Sequence, residues 1–519
     1  MTSHIRISYA ILIFIALDCT GHQLEDIASI TPDRARYLKL LMMYIALLTS
    51  VLFLSKTSYA QSTVTPPSNL EVLLATIPDE LKNLPYAIYP SSPNYESARF
   101  SANKRFSVYP HAIFTPQTEQ EARFVLSALK KHHLAFSIRS GGHGYEGNAL
   151  SSDYIFDLRN FNAIVPDVKN QTVTIGAGCR LGDVIKTLGK LDFAIPTGTC
   201  PNVGVAGLTL GGGIGLLSRT YGLTSDSVTS ITLLNANSEV IEVNEHSHPD
   251  LFWALRGSGN GSYGIVLGFT FKMYYIPAVT YYELTWDWDA KKAPKIIQTW
   301  QTWFQTLPPT ITSQLRIRYA NGSAEMSIAG LKVNDATFDE WKTAFQPLHP
   351  KVTITTGRYG DLVKYWAETQ DAPYLKTKSN IIMRPLSSKV TKKMVRFFNT
   401  LINDHSTLRV LFDFDGLGGK VPLRHSAFYP RKALTWWYQG IYWEHPEQEK
   451  EALHRSRQFY KNIQPDVSAY CYANTVDYDI GKRYLDAYYG NNVTRLLQTK
   501  RKYDPDNLFR WRQSIPLKQ

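Results

Sequence analysis

The chain has 519 residues and a net charge of +12, with 44% hydrophobic and 19% charged residues. That length holds two or three domains at roughly 150 residues each, and the composition excludes a chain too polar to bury a core. The Lys and Arg residues are scattered and form no basic run or nucleic-acid motif, so the charge reads as the surface of an exported protein.

The 31 Tyr and 11 Trp suit planar or sugar-like ligands, although the core is the ordinary place for most of them. The cysteines, Cys19, Cys179, Cys200 and Cys471, are too few for a disulfide framework, and their spacing fits no zinc site. No metal is expected.

In chain order, Arg34, Arg36 and Lys39 precede the apolar run Leu40–Leu54, and Ser58-Tyr59-Ala60 follows. This is the pattern of a secretory signal peptide, with cleavage expected after Ala60 and a secreted or periplasmic destination. The run is shorter than the ~20 residues of a membrane span, so no stable span is expected in the mature chain. Ala10–Leu17 is a second apolar stretch with no place in one signal peptide, which points to a start codon placed too far upstream. Residues 1–60 are therefore leader and 61–71 a polar linker.

Thr115-Pro116 reads as the N-cap and first residue of a helix, since Ala122, Val125, Leu126 and Leu129 follow at helical spacing. A strand at Ala135–Ile138 then delivers the chain to Arg139-Ser-Gly-Gly-His143. Strands at Tyr154–Asp157 and Thr172–Ile175 and a helix from Leu181 lead to Gly198-Thr-Cys200-Pro-Asn-Val-Gly204-Val-Ala-Gly207. Ile231–Asn235 and Val240–Val243 form a hairpin pattern, and Ile265–Met273 is the last strand of this unit.

A glycine cluster is more often a loop than a cofactor cradle, and a lone His or Cys is more often structural. Here each glycine segment carries one reactive side chain, and glycines let backbone N–H groups approach a ligand. Gly211-Gly212-Gly213-Ile214-Gly215-Leu216 misses the dinucleotide fingerprint GxGxxG at its last position. P-loop, zincin and serine-hydrolase motifs are absent from the sequence.

From about Ile276 the texture changes. Leu315–Ala320 and Ser323–Gly330 flank Asn321-Gly322, a strong hairpin signal, and strand-like runs recur at Arg409–Asp415 and Leu434–Trp443. An antiparallel sheet with helices on one face is expected. Near the end come Tyr472-Ala-Asn474-Thr-Val-Asp477, then Tyr488-Tyr-Gly-Asn-Asn492 and Tyr503-Asp-Pro-Asp-Asn507-Leu-Phe509. Asn170, Asn260, Asn321 and Asn492 open Asn-x-Ser/Thr sequons.

Arg139 to His143, Gly198 to Gly207, Tyr221-Gly222-Leu223-Thr-Ser-Asp226 and the Tyr472 segment together resemble the berberine-bridge-enzyme-like flavoproteins. These share the PCMH-type, or vanillyl-alcohol-oxidase, FAD-binding fold. The resemblance implies an α+β fold with an FAD-binding domain at 72–275 and a substrate-binding domain at 276–465. A segment at 466–519 would return to the first domain.

The resemblance also implies FAD bound through two covalent bonds, from His143 to the flavin 8α-methyl carbon and from Cys200 to C6. A neutral imidazole and a thiolate are the nucleophiles such bonds require. The cofactor-binding set carried over adds Arg139, Ser140, Gly141, Gly142, Gly144, Val203, Gly204, Gly207, Gly213, Gly215, Gly222, Leu223, Asp226, Gly264, Val266 and Asn474. With Cys200 on flavin, Cys179 and Cys471 either pair or stay buried.

Two tethers hold the ring without walls around it and raise its potential, which favours oxidation of an alcohol or hemiacetal. By the same resemblance Tyr472 is the base that takes the hydroxyl proton, and a carboxylate on a strand of the second domain assists it. Asp415 is the first choice for that carboxylate and Asp413 the second, both sharing one face at period two, against a reading as solvated strand-end acids. Val203 falls where a small side chain implies oxidase behaviour. Trp436 and Tyr438 are aromatic candidates for the substrate pocket.

The expected activity is oxidation of an oligosaccharide or alcohol with O₂ as acceptor. A dehydrogenase with another acceptor, an oxidative ring-closing enzyme and an extracellular ligand-binding flavoprotein remain as alternatives. Thr475-Val476 departs from the family, where an aromatic often follows Asn474, and the acid-rich Asp413–Asp415 strand departs too. Both departures leave the substrate open.

Overall fold

The computed structural model describes residues 76–258, 261–367 and 374–518. The leader at 1–60, the linker at 61–71 and the sequon at Asn260 lie outside the described residues. Asn170 and Asn321 are exposed, whereas the Asn492 side-chain amide donates to the Ala427 carbonyl at 3.1 Å.

Strands β1 (Ala87–Ile88), β2 (Ala112–Phe114), β3 (Phe136–Arg139) and β4 (Tyr154–Asp157) form a sheet of order β1-β2-β4-β3. Helix α1 (Glu119–Lys131) crosses from β2 toward β3 and buries Ala122, Val125, Leu126 and Leu129. Its N-cap is Thr118, three residues later than expected, because Thr118 and Glu121 cap each other's backbone groups. Thr115 instead donates its hydroxyl to the Tyr86 carbonyl. Glu119 and Glu121 at the start and Lys130 and Lys131 at the end both suit the helix dipole.

An antiparallel sheet of order β5-β6-β10-β8-β9 follows. It comprises β5 (Ile164–Asp167), β6 (Thr172–Gly176), β8 (Val228–Leu234), β9 (Val240–Asn244) and β10 (Ile265–Lys272). Between β6 and β8 lie helices α2 (Leu181–Gly189) and α3 (Val205–Leu210). A small pair, β7 (Phe193–Ala194) with β11 (Tyr274–Tyr275), also falls in this part of the chain. These elements share one apolar core with Tyr488, Leu496, Phe509 and Ile515 from the tail.

The third sheet is antiparallel throughout, in the order β15-β12-β14-β13-β17-β18-β16. Its strands are β12 (Val279–Asp287), β13 (Ile311–Ala320), β14 (Ser323–Val333), β15 (Lys351–Gly357), β16 (Tyr374–Ile382), β17 (Arg409–Gly416) and β18 (Thr435–Trp443). The β13–β14 hairpin turns at Asn321-Gly322, both with positive φ, as the dipeptide suggests.

Helices α4 (Ala293–Thr306), α5 (Ser388–Asn403) and α6 (Glu449–Ile463) cover one face, burying Trp300, Phe398 and Phe459 against Phe412, Phe414 and Trp437. The opposite face carries Gln314, Arg316, Asp413, Asp415, Trp436 and Tyr438, cross-strand neighbours at period two. Asp413 and Asp415 are thus not solvated strand-end acids. They sit buried in a central strand, alternating with the two Phe residues that build the core.

Cys179 and Cys471 are separate buried thiols. Burial pushes both up to about 11, and they lie against the Ala163 carbonyl and the Tyr460 hydroxyl respectively. Among the described residues, no helix is long and apolar enough to cross a membrane.

Candidate active site

Strand β3 ends at Arg139 and releases the chain into Ser140–Gly144, while the turn before α3 holds Cys200. The two segments meet backbone to backbone. A Cβ on Gly141 would lie 2.3 Å from the Gly204 nitrogen, and a Cβ on Gly204 would lie 2.3 Å from the Gly141 nitrogen. Only glycine on both sides permits that approach. The Ser140 hydroxyl donates to the Ala177 carbonyl at 2.7 Å and pins the first segment to the end of β6.

His143 and Cys200 consequently line one cavity, both half-buried. Withdrawal from bulk water pushes the His143 pKa down to about 4, and the Arg180 charge adds to the effect. The imidazole is therefore neutral at physiological pH, with a lone pair to offer. Its ring stands edge-on to Tyr145 at 5.8 Å.

The far wall comes from the tail. The Ile381 N–H donates to the Tyr470 carbonyl at 2.8 Å and the Tyr472 N–H to the Ser379 hydroxyl at 3.1 Å, so strand β16 guides this segment. Tyr472, 3% exposed, accepts at its hydroxyl oxygen from the Gly213 N–H at 2.8 Å and from the Asn474 side-chain amide at 2.9 Å. Burial pushes its pKa up to about 12; the two donors pull it down, and the Asp415 charge pushes it further up. The Trp436 ring lies 5.1 Å from it.

Of the expected cofactor set, Ser140, Gly141, Gly142, Gly144, Val203, Gly204, Gly207, Gly264, Val266 and Asn474 line this cavity together with His143, Cys200 and Tyr472. Arg139, Gly213, Gly215, Gly222, Leu223 and Asp226 are not among its lining residues. Arg139 is buried on Asp157, from which it holds the end of β3. Asp226 receives both Arg431 terminal nitrogens, at 2.7 and 2.8 Å, together with the Leu223 N–H. It fastens this part of the chain to the stretch between β17 and β18.

Asp413 and Asp415 do not line the cavity either. Asp413 accepts from Arg316 at 3.0 Å, Asp415 accepts from the Gln314 amide, and Arg316 also donates to Gln314. The Asp415 charge raises the Tyr472 pKa and so opposes loss of the phenol proton.

Sequence reading missed Asn148 and Trp511, which also line the cavity, as does Thr475, read only as a departure from the family pattern. Isolated polar or aromatic residues without periodicity carry no signal of their own, and the glycine beside Asn148 marks the loop but not its side chain. Asn148 Oδ1 and Thr475 Oγ1 are buried in the wall without a protein partner. Gly207 lines the cavity, and a Cβ added there would meet nothing within 4 Å. Open space over a helix, unmatched polar atoms and a neutral imidazole beside a thiol fit a planar heteroaromatic cofactor such as FAD.

A family model described as an FAD binding domain matches residues 110–244, and one described as berberine and berberine like matches 471–516. An uncharacterized FAD-linked oxidoreductase of Bacillus subtilis, YgaK, is 31% identical over 82% of this chain and 95% of its own. Among solved structures, Physcomitrella patens BBE-like 1 superposes with a TM-score of 0.75 at 26% identity, covering 87% of this chain and 99% of that one. A chitooligosaccharide oxidase superposes at 0.74, also with 26% identity, covering 87% and 100%. The chain belongs to the berberine-bridge-enzyme-like family of FAD-linked oxidoreductases. Its α+β architecture is the PCMH-type FAD-binding fold of that family.

Proposed function

We propose that the chain is an exported oxidase that takes a hydroxylated substrate, a carbohydrate or an alcohol, and carries FAD covalently on both His143 and Cys200. The observation that carries this reading is that a neutral imidazole, a thiol and a hydrogen-bonded tyrosine from three distant segments line one cavity. Bound FAD would supply the two-electron acceptor for the C–H bond beside the hydroxyl and pass the electrons to O₂, giving a carbonyl product and H₂O₂.

His143 offers its lone pair because burial keeps it unprotonated, and Cys200 offers sulfur from the turn that Gly204 holds against Gly141. Tyr472 Oη accepts the substrate hydroxyl proton, and the Gly213 N–H and the Asn474 amide stabilise the phenolate that would accept it. Asp415 instead orders Gln314 on the sheet face. Trp436 offers an aromatic surface beside Tyr472, of the kind that stacks on sugar rings. The likeness to a chitooligosaccharide oxidase supports a carbohydrate over a small alcohol. The apolar run and small residues before position 61 support export.

Steady H₂O₂ release with a panel of oligosaccharides, lost in Tyr472→Phe, tests the reading. A flavin-loaded protein that is reduced by substrate but takes many minutes to reoxidise in air would make it a dehydrogenase instead.

A further inference from the structure

Behind the cavity lies a cluster of buried charges that the chemistry above does not use. Lys376, on β16, has a side chain only 1% exposed. Its ammonium donates to Glu146, to Asp477 at 2.6 Å, and lies 3.4 Å from Asp479. Lys378 supplies a second cation to Asp477 at 2.8 Å and Asp479 at 2.9 Å. Arg105 lies 3.8 Å from Glu146, and Arg457 donates to Asp479 at 3.0 Å.

Glu146 and Asp477 lie on the two segments that carry the cavity walls, though neither lines the cavity itself. Glu146 is three residues after His143, and Asp477 is three after Asn474 and five after Tyr472. A neutral link runs beside the ionic one. Asn103, fully buried, donates to the carbonyls of Tyr145 at 2.7 Å and Leu375 at 3.0 Å, and accepts from the Leu375 N–H at 3.2 Å. The first residues of β16 are thus bonded to the His143 segment on one side and to the tail on the other.

Burying a lysine and two carboxylates costs desolvation that apolar side chains of similar volume would avoid, so stability alone is a weak reason for the arrangement. An ammonium shared by two carboxylates fixes a distance, which apolar packing does more loosely. We propose that Lys376 is a positioning residue: its ammonium ties the segment bearing His143 to the segment bearing Tyr472 and Asn474 and sets the spacing between the two cavity walls. The proposal rests on the function assigned above to those walls.

Lys376→Met alone leaves Glu146 and Asp477 without a shared cation and is expected to lower the yield of folded protein. The decisive variant is Lys376→Met with Glu146→Gln, which removes one charge of each sign and leaves Asp477 on Lys378. Its thermal midpoint is expected to stay near that of the native protein, with faster amide exchange across 140–149 and 470–477. The visible circular dichroism of bound flavin should change, and kcat should fall about tenfold with KM within about twofold, as a small misplacement of reacting groups does.

Lys376→Arg keeps the charge with a bulkier head and is expected to fold while shifting the same dichroism and kcat to a smaller degree. Native exchange rates in both segments, or native dichroism and kcat in a flavin-loaded double variant, would overturn the proposal. If the double variant does not fold, an Arg variant with native dichroism and kcat overturns it. A native protein that holds no flavin would sink the functional reading instead, and the exchange rates would still judge the tie.

Discussion

The glycine wall of the cavity and the inner face of the seven-stranded sheet are built on opposite principles. The wall is nearly bare: Gly141 and Gly204 touch through their backbones, and the reactive groups His143 and Cys200 sit at the edges of that contact. The sheet face is crowded with buried polar side chains, Arg316 bonded to Asp413 and Gln314 bonded to Asp415. The first arrangement exposes its chemistry to a ligand. The second engages its carboxylates with neighbouring side chains, Asp413 with Arg316 and Asp415 with Gln314.

The largest effect is expected from Tyr472→Phe. Without the phenol oxygen the hydroxyl proton has no acceptor, so kcat should fall by about 10²–10⁴ while flavin remains bound. Stopped-flow reduction of the flavin by substrate checks this. Because burial holds the phenol up at about 12, the native rate should rise with pH on the alkaline side of neutrality as the proton is lost. That rising limb should vanish in the Phe variant.

Next comes the bare wall itself. Gly141→Ala places a Cβ 2.3 Å from the Gly204 nitrogen, and the two segments must part. Flavin content after purification should drop sharply, while Ala substitution at Gly207, where the added carbon meets nothing, should leave the fold unchanged and interfere only through the ligand. Asp226→Ala should cost about 3 kcal/mol of stability by removing the buried carboxylate that pairs with the part-buried Arg431 guanidinium, measured as a lowered denaturation midpoint.

The smallest effect separates the two regions most finely. If Asp415 belongs to the structural face, Asp415→Asn removes a charge that holds the Tyr472 pKa up, and the alkaline limb of the rate profile should move to lower pH. Loss of most of kcat would instead make Asp415 a participant in the reaction.

That contrast also governs what could be read in advance. Local patterns translate directly: the period of Ala122, Val125, Leu126 and Leu129 marked α1, Asn321-Gly322 marked its hairpin, and the glycines marked the wall. The partners of a buried charge do not, because Gln314 meets Asp415 across 101 residues and Lys376 meets Glu146 across 230. The alternative of Asp413 and Asp415 as an exposed strand end failed for that reason, since only the register of β13, β17 and β18 reveals a central strand. Within the seven-stranded sheet, strands β12, β15 and β16 were missed, and the fully exposed run at the start of β15 alternates no apolar face toward a core.

The account turns on two covalent links from separate loops to one flavin, and mass spectrometry of the intact purified polypeptide tests it most directly. The expected result is one added FAD mass that survives acid denaturation in the native protein and in each of His143→Ala and Cys200→Ala, and disappears only when both are replaced. An intact polypeptide carrying no added FAD mass under riboflavin-replete expression would contradict it.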